Sequence, residues 1–535
     1  MAAQTNDEIS TVQEQEQEQR HERATRSKAV EFLTSHATED TTFTYEEEKA
    51  VLRRIDKRIL VLLLWAYFFQ QLDKSTLSYV SIFGLQEDAH LVGLQYSWLG
   101  SILYLAQLIM QPLVALLLVK LPIGKVLAAA IFLWGSSLAI MAACTDFPSL
   151  LGMRFALGSF ESCIAPCCVA ITQMWWRRSE QTLRVSYWTA MNGVTSIVGS
   201  LLTYGLGHIH STTLYSYQTI FMFCGLLTVA YSFLVFWLMP DSPMEAKCLS
   251  EREKLIATER VRANQMGIST QEWRWDHALE VLVDLKTWCW FFSVISVSIA
   301  SGGISSFGSL IVKSFGFSSF QTILFNIPFG VTQILAILTT GWLATWTQRK
   351  GFVIAGASVL PSAGAIIMLT VPRDNKGVLL FGYYLVSTMA SVTPLIYAWQ
   401  AQNTAGDTKK KCTSGMVFIG MCAGNVIGPL LYSTDEAPLY RTGLISNLAM
   451  FVTVGVISGL TPFYLMYLNK QHEKRRVELG KVGPMADLSM LDNDKRKEIK
   501  AVELEDIRDH KVSVEQDNGL QDMTDLKNED FVYVY

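Results

Sequence analysis

The chain has 535 residues, of which 50% are hydrophobic and only 17% charged, and its mean hydropathy is +0.26; soluble domains carry about 25% charged residues. Its formal charge of -4 is spread over both signs, which sets aside nucleic-acid binding and leaves a membrane protein. Nine cysteines, mostly inside apolar runs, show neither disulfide nor zinc spacing, so no metal and no cofactor is expected.

In chain order, residues 1–57 are polar, with a Glu-Gln repeat and no signal-peptide pattern, and are expected to form a cytoplasmic N-terminal tail. Six apolar runs long enough to cross a bilayer follow, over 59–83, 97–119, 126–145, 149–173, 184–207 and 217–239, giving a first six-helix bundle at 58–239. A charged, helix-forming stretch (PDSPMEAKCLSEREKLIATERVRANQ) makes 240–286 a cytoplasmic linker. Six more runs, over 288–312, 320–345, 352–371, 378–400, 413–432 and 443–468, give a second bundle at 287–469. The remainder, 470–535, mixes charges with few adjacent apolar residues and is expected to be a disordered cytoplasmic tail. The fold class is therefore an all-α membrane protein of twelve transmembrane helices in two six-helix bundles. Phe83-Gly84 and Phe307-Gly308 share an offset of 224 residues between the halves, a weak echo of the kind that parallel repeats related by an axis along the membrane normal would leave.

With both termini cytoplasmic, ten basic residues fall in inner short loops (Lys120, Lys125, Arg177, Arg178, Arg184, Arg349, Lys350, Lys409, Lys410, Lys411) and four in outer ones (Lys313, Arg373, Lys376, Arg441). That bias sets the orientation, and the plasma membrane is the expected location.

Four ionisable residues lie inside apolar runs: Asp73 and Lys74 in the first (FFQQLDKSTLSYV), Arg154 and Glu161 in the fourth (LLGMRFALGSFESC). Each costs about 2.5–3.5 kcal/mol if it faces lipid, so they are candidates for substrate binding or proton coupling. Arg154 and Glu161 are seven residues apart, which places them on one helix face about 10 Å apart. Protonation of Asp73 or Glu161 would leave the site net positive for an incoming carboxylate. A second reading makes the four residues ion-pair locks that hold a gate state. Adjacent Asp73 and Lys74 diverge by about 100° on a helix and need not share a face. Amides and an indole within other runs are possible cavity-lining groups or interhelical ties: Asn192, Asn326, Gln333, Trp399, Gln400, Asn403 and Asn425.

Taken with LDKSTLSY (72–79), LPIGK (121–125), RFALGSFES (154–162), APCCVAITQMWW (165–176), PDSP (240–243), AGDTKKKC (405–412) and GNVIGP (424–429), these residues make the chain resemble the fungal anion:cation symporter family of the major facilitator superfamily, in the allantoate permease group. The resemblance implies roles for Asp73, Lys74, Arg154 and Glu161 in substrate binding and proton coupling. The chain departs from the family where GWLATWTQRK presents Thr345 instead of a gating Asp, leaving Arg349 and Lys350 without that partner, and where Cys167 replaces a Gly.

The expected function is proton-coupled symport of a small organic anion, a carboxylate such as a ureido acid or vitamin-like nutrient, with protons and the lipid bilayer as the other partners. Export of an acidic secondary metabolite and a nutrient-sensing receptor role are the alternatives. No nucleophile, base and metal constellation points to an enzyme.

Overall fold

The computed structural model describes residues 44–82, 85–92, 95–207, 215–262, 273–317, 324–432, 436, 440–479 and 522–535. Residues 1–43 of the expected N-terminal tail, Phe83-Gly84 and residues 480–521 lie outside them. All extended regular elements among the described residues are helical.

Helix α1 (Tyr45–Ile55) starts at a capping box, in which Thr44 accepts from the Glu47 amide and the Glu47 carboxylate accepts from Thr44. It runs through a π-helical turn into α2 (Val61–Ile82). The first half continues with α3 (Gln95–Lys120), α4 (Ile123–Met141), α5 (Phe147–Glu161), α6 (Ile164–Trp175), α7 (Arg178–Gly207) and α8 (Ser216–Leu238). Two linker helices follow, α9 (Glu251–Arg262) and α10 (Trp275–Val283). The second half contains α11 (Leu285–Ser314), α12 (Asn326–Thr347), α13 (Lys350–Ala357), α14 (Val359–Thr370), α15 (Lys376–Ser387), α16 (Val392–Gln402), α17 (Asp407–Leu430) and α18 (Arg441–Glu478).

The pairs α5/α6, α13/α14 and α15/α16 are each one interrupted span. Pro166, Pro361 and Pro394 lie just past the three breaks, where a proline ring displaces the carbonyl four residues earlier. At the first break the Ser162 carbonyl, opposite Pro166, accepts from Gln111 Nε2 at 3.4 Å. Ten segments are long and apolar enough to cross a membrane. The more polar α2 and α7 complete the twelve spans, because their partners are other helices rather than lipid alone.

Within the first bundle α4 packs on α8, α3 on α5 and α2 on α7; within the second, α11 packs on α17 and α18, and α14 on α15. The bundles meet mainly where α7 packs on α12 and α3 on α17. The α7–α12 approach depends on glycine: a Cβ on Gly193 would lie 2.5 Å from the Gly330 carbonyl oxygen. Large apolar side chains such as Phe236, Trp237, Trp342 and Leu460 are exposed on the outer surface, as a lipid-facing surface requires.

One face of the protein carries α1, α9 and α10, and is called the linker face below. On the first bundle, Arg260 of α9 is buried between Glu48 (3.1 Å) and Glu180 (2.6 Å), and Arg184 pairs with Asp56 at 2.8 Å. The end of the chain differs from the sequence expectation of a disordered tail over 470–535. Residues 470–478 extend α18, and residues 522–535 pack on the linker face with Phe531 and Tyr533 each 1% exposed. The FVYVY ending supplies the apolar surface that the charged stretch before it lacks.

Candidate functional site

The interruption between α5 and α6 comes directly after Glu161, so this carboxylate sits at a break in the span. Glu161 is 2% exposed and accepts from Gln70 Nε2 of α2 at 3.0 Å, while its Oε2 has no hydrogen-bond partner. Lys74, one turn further along α2, holds its ammonium 4.4 Å from the Tyr104 ring centroid of α3, a cation–π contact. Glu161, Tyr67 and Cys422 are among the groups that act on Lys74 electrostatically. Cys422 belongs to the second bundle and approaches Gln107 Oε1 of α3 at 3.6 Å. Tyr397 of α16 donates to the Met421 sulfur at 3.1 Å beside it. The site is therefore shared: its charges come from the first bundle and its opposing wall from the second.

Arg154 lies two turns before Glu161 on α5 and is 1% exposed. Its Nε and Nη2 have no hydrogen-bond partner. Those two nitrogens form one edge of the guanidinium, the edge that grips a carboxylate with two parallel bonds. Tyr96, Glu161, Tyr104 and Asp73 are its electrostatic neighbours. Among the described residues no ion pair within 4 Å joins any two of Asp73, Lys74, Arg154 and Glu161.

Asp73 is placed apart from Lys74. Its Oδ2 accepts from Trp134 Nε1 of α4 and from Thr228 Oγ1 of α8, both at 2.8 Å, inside the first bundle. The turn of 100° between adjacent helical residues sends one side chain towards α3 and the other into the bundle core. Asp73 ties α2 to α4 and α8.

The amide candidates divide in the same way. Gln333 of α12 is 7% exposed with Oε1 unpartnered, one turn beyond the Gly193–Gly330 approach. Asn192 and Asn326 are half-buried. Asn425 donates to Met421 of its own helix at 2.8 Å, and Gln400 donates to Ser414 at 3.3 Å, joining α16 to α17. Trp399 and Asn403 are on the linker face, where both donate to the Val534 carbonyl, at 2.8 and 2.9 Å; their partner is the end of this chain. Gln70, Gln107, Tyr67, Tyr104, Tyr397 and Cys422 join the site without having been singled out in the sequence. Gln70 and Gln107 carry the same signal as the other amides, a polar group within an apolar run.

On the linker face the site is closed by contacts between the bundles. Gln173 of α6 donates to the Ala401 carbonyl at 2.8 Å, and Arg178 and Gln402 bond to each other's carbonyl oxygens. Gln402 also donates to Thr182 Oγ1 at 3.2 Å.

The family model of the Major Facilitator Superfamily matches residues 63–429. Relatives include the thiamine pathway transporter THI73 of Saccharomyces cerevisiae, 33% identical over 81% of this chain and 82% of that one. Allantoate permease of the same yeast is 32% identical over 82% and 83%. An MFS-type transporter, cnsL of Penicillium expansum, is 29% identical over 79% and 82%. Among solved structures, the E. coli fucose:proton symporter FucP superposes with a TM-score of 0.57 at 15% identity, covering 75% of this chain and 97% of that one. The human organic anion transporter MFSD10 superposes with a TM-score of 0.55 at 16% identity, covering 76% and 99%.

Proposed function

The chain belongs to the major facilitator superfamily, in a fungal group related to allantoate permease, and is a transporter rather than an enzyme; from that premise we propose that it is a proton-coupled symporter of a small organic anion. The observation that carries this reading is Arg154: a buried guanidinium with its Nε/Nη2 edge unpartnered, on the same helix as a buried carboxylate that is not ion-paired. A buried cation with open donors favours an anion, and its planar edge favours a carboxylate. The relatedness to allantoate permease supports the same chemical class.

In this reading Arg154 holds the substrate carboxylate and Lys74 adds the second positive charge. Glu161 carries the proton, because its neutralisation leaves both cations to the anion. Asp73 holds the first bundle together, and Gln333 and Tyr397 face the remainder of the substrate from the second. The linker face is the cytoplasmic one, by the excess of basic residues in its short loops, and the membrane is the plasma membrane.

The test is uptake of a panel of labelled small carboxylates, ureido acids included, into a host lacking its own uptake, at external pH 5 and 7 with and without a protonophore. At least one acid is expected to accumulate faster at pH 5 and to lose accumulation with the protonophore. Uptake indifferent to both treatments would remove proton coupling, and accumulation of neutral or cationic compounds alone would remove the anion.

A further inference from the structure

The charges buried on the linker face are not used by the transport site. Lys286 at the start of α11 and Lys409 at the start of α17 are both 0% exposed and share the carboxylate of Asp525, Lys409 at 2.9 Å. Asp284 pairs with both lysines, and Glu280 of α10 pairs with Lys409 at 2.8 Å. Burial alone would raise the Asp525 carboxyl, but Lys286 and Lys409 hold it well below the usual carboxylate range.

Beyond Asp525 the backbone is gripped by side chains of the second bundle. Asn403 accepts from the Val534 amide at 2.7 Å and donates back to the Val534 carbonyl, and Asn469 pairs with the Tyr533 backbone in the same two-way fashion at 2.8 and 2.9 Å. The Lys350 amide, at the start of α13, donates to the Tyr535 carbonyl at 2.6 Å.

Arg178 carries the segment across to the first bundle. Arg178, at the start of α7, donates to the Val532 carbonyl at 2.8 Å and stacks over the Phe531 ring with 4.7 Å to the centroid. Arg178 is also the residue that bonds to Gln402 across the closed linker face. The segment therefore thickens the gate at the point where the two bundles must part.

We propose that residues 522–535 are a latch, anchored on the second bundle and gripping the first through Arg178, which holds the linker-face gate shut and must let go before that face opens. The inference rests on the chain being an alternating-access transporter, but not on the identity of its substrate. The segment belongs to the same chain as the bundles it joins, so its release and redocking are intramolecular. Transport would then be set by how often the latch is undocked, and anything that captures the segment would open the gate more often.

Amide hydrogen exchange on the purified full-length protein tests this without a substrate. Three changes are compared: Asp525→Asn, which breaks the anchor; Phe531→Ala, which removes the platform under Arg178 and leaves the anchor; and deletion of residues 522–535. Each is expected to speed exchange about tenfold or more at the gate amides of the first bundle, 176–182, as well as at 401–405. A synthetic peptide of residues 522–535 added to the deletion variant should restore protection at both, and the same peptide with Asp525→Asn should not. If exchange rises only in the second bundle while 176–182 keeps the full-length rate, the segment is a structural patch and the latch is wrong. Failure of the carboxylate panel together with the expected exchange pattern would overturn the substrate reading and leave the latch standing.

Discussion

The two six-helix bundles place their charges differently. In the first, Asp73, Arg154 and Glu161 are buried in mid-span, and Lys74 faces Tyr104 beside them. In the second, the polar groups buried within the described spans are neutral, such as Gln333 and Asn447, and the buried lysines Lys286, Lys350, Lys409 and Lys411 sit at or near helix starts on the linker face. The difference separates two jobs. Charge in mid-span is costly unless it handles charge, so the first bundle is where an anion and a proton would be bound. Charge at the helix starts holds the linker helices and the end of the chain, so the second bundle is where the gate is anchored.

The largest effect is expected from the guanidinium. Arg154→Lys keeps the charge but cannot reproduce two parallel bonds, and loss of a buried charge-pair contact costs about 2–5 kcal/mol. Uptake at subsaturating substrate should fall about 100-fold or more with the protein still at the membrane. A fall of only two- or threefold would move the anion site away from Arg154.

Asp73 should affect stability more than transport. Asp73→Ala leaves the Trp134 and Thr228 donors buried without acceptors, at about 1–3 kcal/mol each, and should lower the melting temperature of the purified protein clearly. Asp73→Asn keeps an acceptor oxygen and should retain accumulation within a few-fold. If Asp73→Asn abolishes accumulation, the proton is carried there and the division of roles within the first bundle is broken.

The smallest effect belongs to the neutral wall. Gln333→Ala should change apparent affinity by a few-fold and leave the response to pH unaltered. A variant that lost pH dependence would show that coupling spans both bundles, erasing the contrast between them.

Much of the fold was legible because the bilayer forces it: long apolar runs, their grouping in sixes and the linker between them are properties of local sequence. The four charged candidates were legible for the same reason, since an ionisable residue within an apolar run needs a partner. Which way each points was not. Asp73 and Lys74 are neighbours in the chain, and only the packing of α4 and α8 against α2 decides that Asp73 turns inward to Trp134. Trp399 and Asn403 looked like cavity residues because they end an apolar run, but their partner Val534 lies 131 or more positions away. The docked segment was read as part of a disordered tail for a similar reason. Asp525 is one charge among many locally, and acquires its meaning from Lys286 and Lys409, which the fold brings to it. Thr345, which stands where an acidic gating residue was expected, accounts for little by itself. The Lys350 backbone amide, at the start of α13, donates to the Tyr535 carbonyl.

Glu161→Gln separates coupling from binding most directly, because the amide mimics the protonated acid while the fold and Arg154 stay in place. With a labelled acid identified as substrate, exchange across the membrane at equal concentrations and accumulation against a gradient are measured on the same variant. If Glu161 carries the proton, exchange persists at a rate near that of the parent and accumulation is lost at every external pH. A Glu161→Gln protein that still concentrates its substrate at pH 5 and responds to a protonophore would contradict the assignment.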